Sequence, residues 1–265
     1  MNKNACSCVY ANLGKPKMSL FSNIFKRKEK LPPADMSMLN ADMHSHLIPG
    51  IDDGAQTMED SIQLIKELQQ MGYRKLITTP HIMSDQYPNN AEIILGGLEK
   101  VREELSRQNI DINLEAAAEY YYDYEFKELV EKNDLLTFGD KYILFELSYI
   151  NPPEQLENLI FKLRTSGYTP VIAHVERYPF WYDNFEHYDK LVDAGVKLQL
   201  NISSLNGQYG PPVKAAAQKL IDKNYIDLLG TDCHNMNYIK ILKDTLTNPY
   251  LHKVMESGKL INSSL

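Results

Sequence analysis

From residue 38 onward, short apolar runs alternate with longer stretches in which apolar residues recur every three or four positions. The short runs are typical of buried strands, and the longer stretches are typical of amphipathic helices. Strands that alternate with helices along a chain build a parallel sheet. The predicted strands lie at residues 38–46, 74–79, 110–118, 142–147, 169–173, 196–200 and 226–229. The pattern therefore predicts seven βα units.

The first helix is predicted to begin after Thr57, a residue that can cap it, and to end at Gly72. Its apolar residues Met58, Ile62 and Leu68 share one face, so we interpret them as core residues. Further helices are predicted at residues 91–108, from Pro152-Pro153 onward, and at residues 184–194, 211–224, 237–246 and 249–260. No internal repeat or long linker interrupts this pattern, and we interpret residues 38–265 as a single domain.

Residues 1–37 differ in composition, because Asn, Lys, Ser and Pro are frequent there. We predict a poorly structured N-terminal extension, with a short amphipathic segment that touches a membrane or a partner as the alternative. The basic cluster at residues 26–30 follows apolar residues, whereas a secretory signal places its charges first. Cys6 and Cys8 lie in this extension without a further ligand nearby in sequence, so no metal site is predicted for them.

Charge, hydrophobicity and cysteine content argue against a nucleic-acid-binding, a membrane-spanning and a disulfide-rich protein. A formal net charge of -7 argues against general affinity for nucleic acid, whose phosphate backbone requires a basic surface. No apolar run approaches the roughly 20 residues of a transmembrane helix, and no such segment is predicted. Three cysteines are too few, and odd in number, for a disulfide framework. These features favour the reducing cytoplasm as the location of the protein.

Residues that can bind a divalent cation stand at or beside the carboxyl ends of six predicted strands. His44 and His46 are two positions apart, so both side chains project from the same side of an extended strand, although such a pair alone is weak evidence for a metal site. The other residues are Asp53 in the following loop and His81, Glu119, Glu146, His174, Asp232 and His234. Because a βα barrel presents the carboxyl ends of its strands on one face, we expect these side chains to meet in one cavity.

The surroundings of two carboxylates support a metal site. Glu146 lies between Phe145 and Leu147, and Glu119 follows three alanines. A carboxylate buried without a partner is energetically costly, so a cation or partner is expected there. Histidine and carboxylate ligands suit manganese, iron, zinc or cobalt. Five histidines and four carboxylates are more than one ion uses, which predicts two or three ions. Cys233 should point away from its neighbours and pack in the core.

Clustered cations suit the hydrolysis of phosphate esters, because they neutralise phosphoryl oxygens and lower the pKa of a bound water. Arg177 follows His174 by three residues and is the candidate catalytic group that binds phosphate, since its planar guanidinium can hold two oxygens. The alternative is a salt bridge between Arg177 and Glu176 or another acid. His187 and His252 lie on predicted helices without a partner acid, and we interpret them as surface residues.

Seven motifs carry a family resemblance over essentially all of residues 40–240. They are Asp42-Met43-His44-Ser45-His46, Gly50-Ile51-Asp52-Asp53-Gly54, Thr78-Thr79-Pro80-His81, Ala118-Glu119, Phe145-Glu146-Leu147-Ser148, His174-Val175-Glu176-Arg177-Tyr178 and Thr231-Asp232-Cys233-His234-Asn235. With these motifs the chain resembles the PHP (polymerase and histidinol phosphatase) superfamily. Within it, the chain resembles the metal-dependent bacterial tyrosine-protein phosphatases of capsule and exopolysaccharide loci, the CpsB/CapC type.

The resemblance implies a distorted (β/α)7, TIM-like barrel with a trinuclear site that usually holds Mn²⁺. The nine candidate ligands fall on the family's ligand positions, and Arg177 falls on its phosphate-binding arginine. Val175 departs from the pattern, because proline is usual in the His-Pro-Glu-Arg-Tyr box. Gram-positive members also place a second basic residue after the last motif, and only Lys240 could bind substrate in that role here.

The activity implied by the resemblance is hydrolysis of phosphotyrosine by metal-activated hydroxide, without a covalent phosphoenzyme. The substrate would be the C-terminal tail of a membrane-linked tyrosine kinase that controls polysaccharide export, which would place the protein near the inner face of the membrane. Tyrosines in site-side loops, among them Tyr87, Tyr121, Tyr122 and Tyr178, could line a pocket for the aromatic leaving group, although most tyrosines are expected to be packing residues. The alternatives are a small-molecule phosphoesterase acting on a substrate such as histidinol phosphate, and a catalytically silent metal-binding module that docks the kinase.

Overall fold

A computed structural model describes residues 31–182 and 184–265, in which a curled parallel sheet is covered by helices. The strands are β1 (Ala41–Asp42), β2 (Lys75–Thr78), β3 (His81–Ile82), β4 (Asn113–Ala116), β5 (Glu119–Tyr121), β6 (Tyr142–Glu146), β7 (Thr169–Ile172), β8 (Lys197–Asn201) and β9 (Leu228–Gly230). They form a three-stranded sheet, β1-β2-β4, and a six-stranded sheet, β3-β5-β6-β7-β8-β9. Every pair of neighbouring strands is parallel, which confirms the predicted α/β class.

The second predicted strand is divided into two. A single strand over residues 74–79 is predicted, but β2 ends at Thr78 and β3 begins at His81. Pro80 stands between them, and because proline has no N–H it cannot donate a hydrogen bond to a neighbouring strand. After this break the chain leaves the first sheet at the carboxyl end of β2 and enters the second sheet with His81.

The third predicted strand, residues 110–118, is divided at the matching position. Strand β4 ends at Ala116, and β5 begins at Glu119. Between them, the backbone N–H of Ala117 donates to the carbonyl of Thr78 at 2.9 Å, so the hydrogen bonding continues from one sheet towards the other. Glu119 therefore lies beside His81, its register partner in β3.

The first predicted strand is shorter than residues 38–46, because β1 covers only Ala41–Asp42. The chain beyond β1 still makes backbone hydrogen bonds on both sides. The carbonyl of Ser45 accepts from Thr79 at 2.7 Å, and the N–H of His46 donates to Cys233 at 3.0 Å. These bonds keep the two histidines in an extended segment between the chain after β2 and the chain after β9.

Eight α-helices lie in the described residues. They are α1 (Met58–Gln70), α2 (Ala91–Arg107), α3 (Tyr124–Lys132), α4 (Leu156–Thr165), α5 (Glu186–Asp193), α6 (Pro211–Asp222), α7 (Met236–Thr245) and α8 (Pro249–Met255). Helix α1 begins after Thr57 as predicted, since Thr57 and Asp60 cap each other's backbone N–H groups. None of the described helices is long and apolar enough to cross a membrane.

Helix α3 is missing from the sequence-based prediction. It begins after Asp123, whose carboxylate accepts from the N–H of Phe126 at 2.9 Å, and it ends at Asn133 in the left-handed conformation. Phe126 and Val130 are its buried residues, one turn apart. The capping residue and this spacing were the available signals.

Two layers of buried apolar side chains stabilise the fold. The larger layer includes Ile143 and Phe145 of β6 and packs between the sheet and the helices. The smaller layer lies on the other face of the strands and includes Leu144 and Val171. Side chains alternate between the two faces of a strand, which explains why Leu144 belongs to the smaller layer. Cys233 is buried in the larger layer, as predicted.

The described fold begins before residue 38. Ala34 and Met36 are buried, and the N–H of Ala34 donates to the carbonyl of Leu246 at 2.8 Å. Residues 34–36 therefore pack with the chain that follows. Residues 1–30 of the predicted extension, with Cys6, Cys8 and the whole basic cluster, lie outside the described residues.

The interpretation of two histidines as surface residues is wrong. His187 is half-buried, and its ring lies 4.5 Å from that of Trp181. His252 is also half-buried, with its Nε2 atom 3.1 Å from the carbonyl oxygen of Leu246.

Candidate metal centre

Nine side chains meet at the carboxyl edge of the sheet, and we call them the nine-residue cluster. Its members are the predicted ligands His44, His46, Asp53, His81, Glu119, Glu146, His174, Asp232 and His234. They come from strand ends, from the starts of β3 and β5, and from the adjoining loops. Asp53 is 53% exposed at its side chain, and the other members are buried. The expected convergence on one face therefore occurs.

Glu119 lies at the centre of the cluster. Its carboxylate oxygens are 3.0 Å from the Nε2 atom of His174, 3.1 Å from that of His44, 3.3 Å from Nδ1 of His81 and 3.4 Å from Nε2 of His46. Four imidazoles thus surround one buried carboxylate. Such a carboxylate can serve more than one cation.

Two members of the cluster have left-handed backbone conformations. His174 has a φ of 30°, and Asp232 has a φ of 51°. Residues other than glycine rarely adopt this region, which costs on the order of 1–3 kcal/mol each and recurs at functional sites. The N–H of Asp232 donates to the carbonyl of His44 at 2.8 Å, which holds the strained residue in place. Its Oδ1 atom lies 3.4 Å from Nε2 of His44.

The donor atoms form three overlapping groups that fit divalent cations. Within each group the donor atoms lie within 4.8 Å of one another. The groups are His46-Asp53-His81-His234, His44-His46-Glu119-Asp232 and His81-Glu119-Glu146. Nδ1 of His81 is buried and forms no hydrogen bond in the described residues, although oxygens of two carboxylates lie 3.3 and 3.5 Å away. A cation is the natural partner for an imidazole nitrogen placed in this way.

Burial and charge shift the cluster's pKa values in different directions. Burial lowers the pKa of His174 to about 4 and also lowers the pKa of His81. At His44, burial acts to lower the pKa, but the nearby carboxylates, Glu119 foremost, outweigh it and raise the pKa to about 9. Burial and then repulsion from Glu119 raise the pKa of Glu146 to about 8. A metal-binding imidazole must be unprotonated, so the lowered pKa values of His81 and His174 favour metal binding, whereas the raised pKa of His44 opposes it.

Asp52 orients the cluster from behind and was not predicted to do so. Its Oδ2 atom lies 2.8 Å from Nδ1 of His46 and accepts from the N–H of His81 at 3.1 Å. A carboxylate in this position fixes the orientation and tautomer of a metal-binding imidazole. The loop folds back so closely that a Cβ atom at Gly54 would lie 2.3 Å from the carbonyl oxygen of His46. The sequence places Asp52 beside Asp53 but cannot show which of them points inward.

Strand β8 contributes no member of the cluster, but two of its side chains hydrogen-bond to cluster members or to each other. The Oε1 atom of Gln199 lies 3.1 Å from Nδ1 of His44 and accepts from the N–H of His174 at 2.8 Å. Its amide donates to Asn201 at 2.9 Å, and the amide of Asn201 donates to Asp232 at 2.7 Å. This buried chain of hydrogen bonds links three cluster members. Sequence reasoning missed it because a buried glutamine carries no metal-ligand signal.

Arg177 lies at the edge of the cluster. Its side chain is 21% exposed, and its Nη1 atom is 3.7 Å from Oδ2 of Asp232. Of the predicted alternative, a salt bridge with Glu176 or another acid, the described residues show the contact with Asp232 at 3.7 Å and none with Glu176. The Oε1 atom of Glu176 instead accepts hydrogen bonds from the hydroxyl of Ser204 at 2.6 Å and the N–H of Asn201 at 3.1 Å. The guanidinium thus faces the cluster.

Comparison with known proteins identifies the family. Residues 40–245 match the family described as capsular polysaccharide synthesis, CpsB/CapC. The chain belongs to this CpsB/CapC family. The resemblance inferred from the seven motifs is thereby confirmed.

Relatives of this CpsB/CapC chain include named phosphatases. The tyrosine-protein phosphatase YwqE of Bacillus subtilis (strain 168) is 32% identical over 196 residues, which cover 74% of this chain and 77% of YwqE. The putative tyrosine-protein phosphatase CapC of Staphylococcus aureus is 25% identical over 229 residues, covering 83% and 90% of the two chains.

A solved structure has the same fold as the CpsB/CapC chain. It belongs to the crystal structures of YwqE from Bacillus subtilis and CpsB from Streptococcus pneumoniae, described as unique metal-dependent tyrosine phosphatases. It aligns with a TM-score of 0.73 and 27% sequence identity over 84% of this chain and 90% of the other.

Lys240 makes no contact of its own with the nine-residue cluster of the CpsB/CapC chain among the described hydrogen bonds and ion pairs. It lies exposed on α7. Across residues 31–182 and 184–265, its side chain forms no hydrogen bond or ion pair with a cluster member. Its role as a phosphate contact stays a prediction.

Tyrosines surround the CpsB/CapC site in different ways. A cavity of about 330 Å³ opens beside Glu146 and is lined by Tyr121 and Tyr149, among others. The ring of Tyr87 stacks on that of His81 at 5.4 Å. Tyr178 is completely buried, so it is a packing residue. A more apolar cavity of about 240 Å³ between α4 and α5 shares no residue with the cluster.

Proposed function

We propose that this chain is a metal-dependent protein-tyrosine phosphatase that acts on a bacterial tyrosine kinase controlling capsule or exopolysaccharide synthesis. The observation that carries the proposal is the gathering of five histidines and four carboxylates at one centre beside Arg177. The CpsB/CapC family supports it, because the relatives YwqE and CapC are named as a tyrosine-protein phosphatase and a putative one.

Two or three divalent cations are proposed for the cluster, Mn²⁺ first, with iron, cobalt or zinc as other candidates. The three donor groups share His46, His81 and Glu119, an arrangement that suits neighbouring cations with common ligands. His174, 3.0 Å from Glu119, would join the third group. When bound, such cations neutralise phosphoryl oxygens and lower the pKa of a water at the site.

Arg177 is proposed to bind the phosphoryl group. Among the described residues its guanidinium donates no hydrogen bond, so its N–H groups are available to phosphate oxygens. Its positive charge would offset the negative charge that builds up on those oxygens in the transition state. The phenol of tyrosine has a pKa of about 10, so the leaving group needs little assistance from a general acid.

The cavity beside Glu146 is proposed to receive the phenyl ring of phosphotyrosine. Met83, Tyr121 and Tyr149 line it with apolar and aromatic surface. Glu146 lines the cavity and belongs to the cluster, so a phenyl ring bound there would place its phosphate next to the cluster. If the substrate is the tail of a membrane-linked kinase, the protein works in the cytoplasm, close to the inner face of the membrane.

The two sheets are proposed to be parts of one distorted seven-stranded barrel. In this arrangement β2 with β3 and β4 with β5 each count as one strand. The hydrogen bonds of Ser45 with Thr79 and of His46 with Cys233 support closure, because they join the end of the first strand to both of its neighbours. A closed barrel would explain why side chains from distant parts of the chain share one mouth.

A direct comparison of substrates tests the proposed function. Protein loaded with Mn²⁺ is assayed for phosphate release from a phosphotyrosyl peptide and from histidinol phosphate. We expect kcat/KM to be at least about tenfold higher for the peptide, the ratio given by about 1.4 kcal/mol of extra transition-state binding. A higher kcat/KM for histidinol phosphate would identify a small-molecule phosphoesterase. No phosphate release with Mn²⁺, Fe²⁺, Co²⁺ or Zn²⁺ would favour the silent docking module.

Asp52→Ala is expected to raise the Mn²⁺ concentration needed for half-maximal activity by roughly 10- to 100-fold. The reason is that His46 loses the carboxylate 2.8 Å behind its ring and is no longer held in orientation. Activity at saturating Mn²⁺ should largely recover. The matched control is Asp111→Ala, an exposed aspartate before β4. An unchanged Mn²⁺ dependence in the Asp52 variant would contradict this role.

A further inference from the structure

Two tyrosine rings lie against the guanidinium of Arg177. Its Cζ atom is 4.1 Å from the ring centroid of Tyr209 and 4.5 Å from that of Tyr149. At these distances the positive charge is attracted to the face of an aromatic ring. The carboxylate oxygen of Asp232 contacts the same guanidinium at 3.7 Å, which is too long for a hydrogen bond. Within the part of the chain that the structure describes, the guanidinium of Arg177 is therefore held by the two rings and not by hydrogen bonds.

The hydroxyls of the same two tyrosines reach carboxylates of the cluster. The hydroxyl of Tyr149 donates to Oε2 of Glu146 at 3.0 Å. The hydroxyl of Tyr209 donates to Oδ2 of Asp232 at 3.4 Å. Each tyrosine thus contacts Arg177 with its ring and a candidate metal ligand with its oxygen.

The backbone around each tyrosine fixes its position. Tyr209 stands in a turn between Gly207 and Gly210, which have φ values of 90° and 94° and are joined by a backbone hydrogen bond of 3.0 Å. Glycine adopts these angles without strain, unlike other residues. Tyr149 follows β6 by three residues, and its ring stacks on that of buried Tyr178 at 5.8 Å. The turn therefore fixes Tyr209, and the contact with Tyr178 supports the ring of Tyr149.

We propose that Tyr149 and Tyr209 are positioning residues that hold the Arg177 guanidinium beside the cluster with its N–H groups open to phosphate. This inference rests on the proposed phosphatase function. Ring faces attract a guanidinium without using its in-plane N–H groups, whereas carboxylates would occupy the same donors that phosphate needs. The two hydroxyls in turn orient Glu146 and Asp232, so the phosphate-binding group and the ligands are set relative to each other.

The rings are tested by Tyr209→Leu and Tyr149→Leu. In each variant we expect KM for a phosphotyrosyl peptide and the inhibition constant of inorganic phosphate to rise by about tenfold, since the ring attraction is lost. Tyr209→Phe and Tyr149→Phe keep the ring and should retain the wild-type values of both constants. Their own effect should be a severalfold higher Mn²⁺ requirement, because only the hydroxyl contact with a ligand is lost.

The control is Tyr250→Leu, which removes another half-buried tyrosine ring near a lysine, on α8. It should leave KM and phosphate inhibition unchanged. Folding is checked by thermal unfolding, and each tyrosine is tested separately so that one unstable variant does not decide the outcome. Folded Leu variants with wild-type phosphate inhibition would overturn the proposal, and so would Phe variants as impaired in phosphate inhibition as the Leu variants.

Failure of the proposed function would look different. If the chain is the silent docking module, wild-type protein releases no phosphate from any substrate, whereas a small-molecule phosphoesterase still releases it from histidinol phosphate. The positioning role is then measured by calorimetric binding of inorganic phosphate to Mn²⁺-loaded protein. Binding that weakens about tenfold in the Leu variants and persists in the Phe variants supports the role of Tyr149 and Tyr209. Equal binding by all variants overturns it.

Discussion

Glu119→Gln is expected to abolish phosphatase activity and leave the fold intact. The carboxylate of Glu119 lies 3.0 to 3.4 Å from ring nitrogens of four histidines, and it belongs to two of the three donor groups. Glutamine keeps the size of the side chain but removes its charge. A bound divalent cation contributes several kcal/mol to the transition state, and each 1.4 kcal/mol is about tenfold in rate, so kcat/KM should fall at least about a hundredfold.

The measurements for this variant are kcat/KM on a phosphotyrosyl peptide at saturating Mn²⁺ and the metal content of the protein after dialysis. Glu115→Gln is the matched control, since Glu115 precedes Glu119 by four residues but pairs with Lys75 at 2.8 Å near the surface. That variant should keep both metal and activity. Normal metal content together with normal turnover in Glu119→Gln would rule out the central role of this carboxylate.

The convergence of the candidate ligands was predictable because a parallel α/β fold makes one rule apply to all strands. Every strand ends on the same side, so a histidine or carboxylate at a strand end is directed to a common place. The apolar neighbours of Glu146 sharpened the prediction, since burial of that charge requires a partner. The role of Lys240 stays a prediction, because its side chain is exposed on α7 and an exposed lysine can be placed by sequence without its contacts being known.

The breaks in the strands were not predictable from apolar patterning. The runs at residues 74–79 and 110–118 look continuous, because hydrophobicity does not record where hydrogen bonding passes from one sheet to the other. Pro80 was a visible signal for the first break, but the second, between Ala116 and Glu119, contains only alanines. This second break arises because β4 and β5 pair with β2 and β3, which are themselves separated, and not because of the residues at the break.

The supporting polar residues form another class that sequence reasoning misses. Gln199 and Asn201 act through contacts with His44 and Asp232, which lie 155 and 31 positions away along the chain. Nothing in the local pattern of β8 distinguishes an amide that orients a ligand from one that pairs with backbone. Such contacts depend on the register of neighbouring strands, which the alternation of apolar residues does not specify.

Arg177→Ala is expected to lower kcat/KM by about 100- to 1000-fold while the metal content stays normal. Arg177 belongs to none of the donor groups and touches the cluster only through the 3.7 Å contact with Asp232. Its loss should therefore remove transition-state stabilisation without removing a ligand. Arg177→Lys should recover little, because an ammonium cannot present the planar pair of donors that a phosphoryl group accepts.

The separation of metal content from turnover is what distinguishes Arg177 from Glu119. Arg107→Ala is the control for loss of an arginine, since that side chain is 78% exposed at the end of α2 and pairs only with Glu104 among the described residues. It should behave as wild type. If Arg177→Ala instead loses metal together with activity, Arg177 acts through Asp232 as part of the structure of the site. Normal metal content with a large loss of turnover places the guanidinium on the phosphoryl group, where the two tyrosine rings leave its N–H groups free.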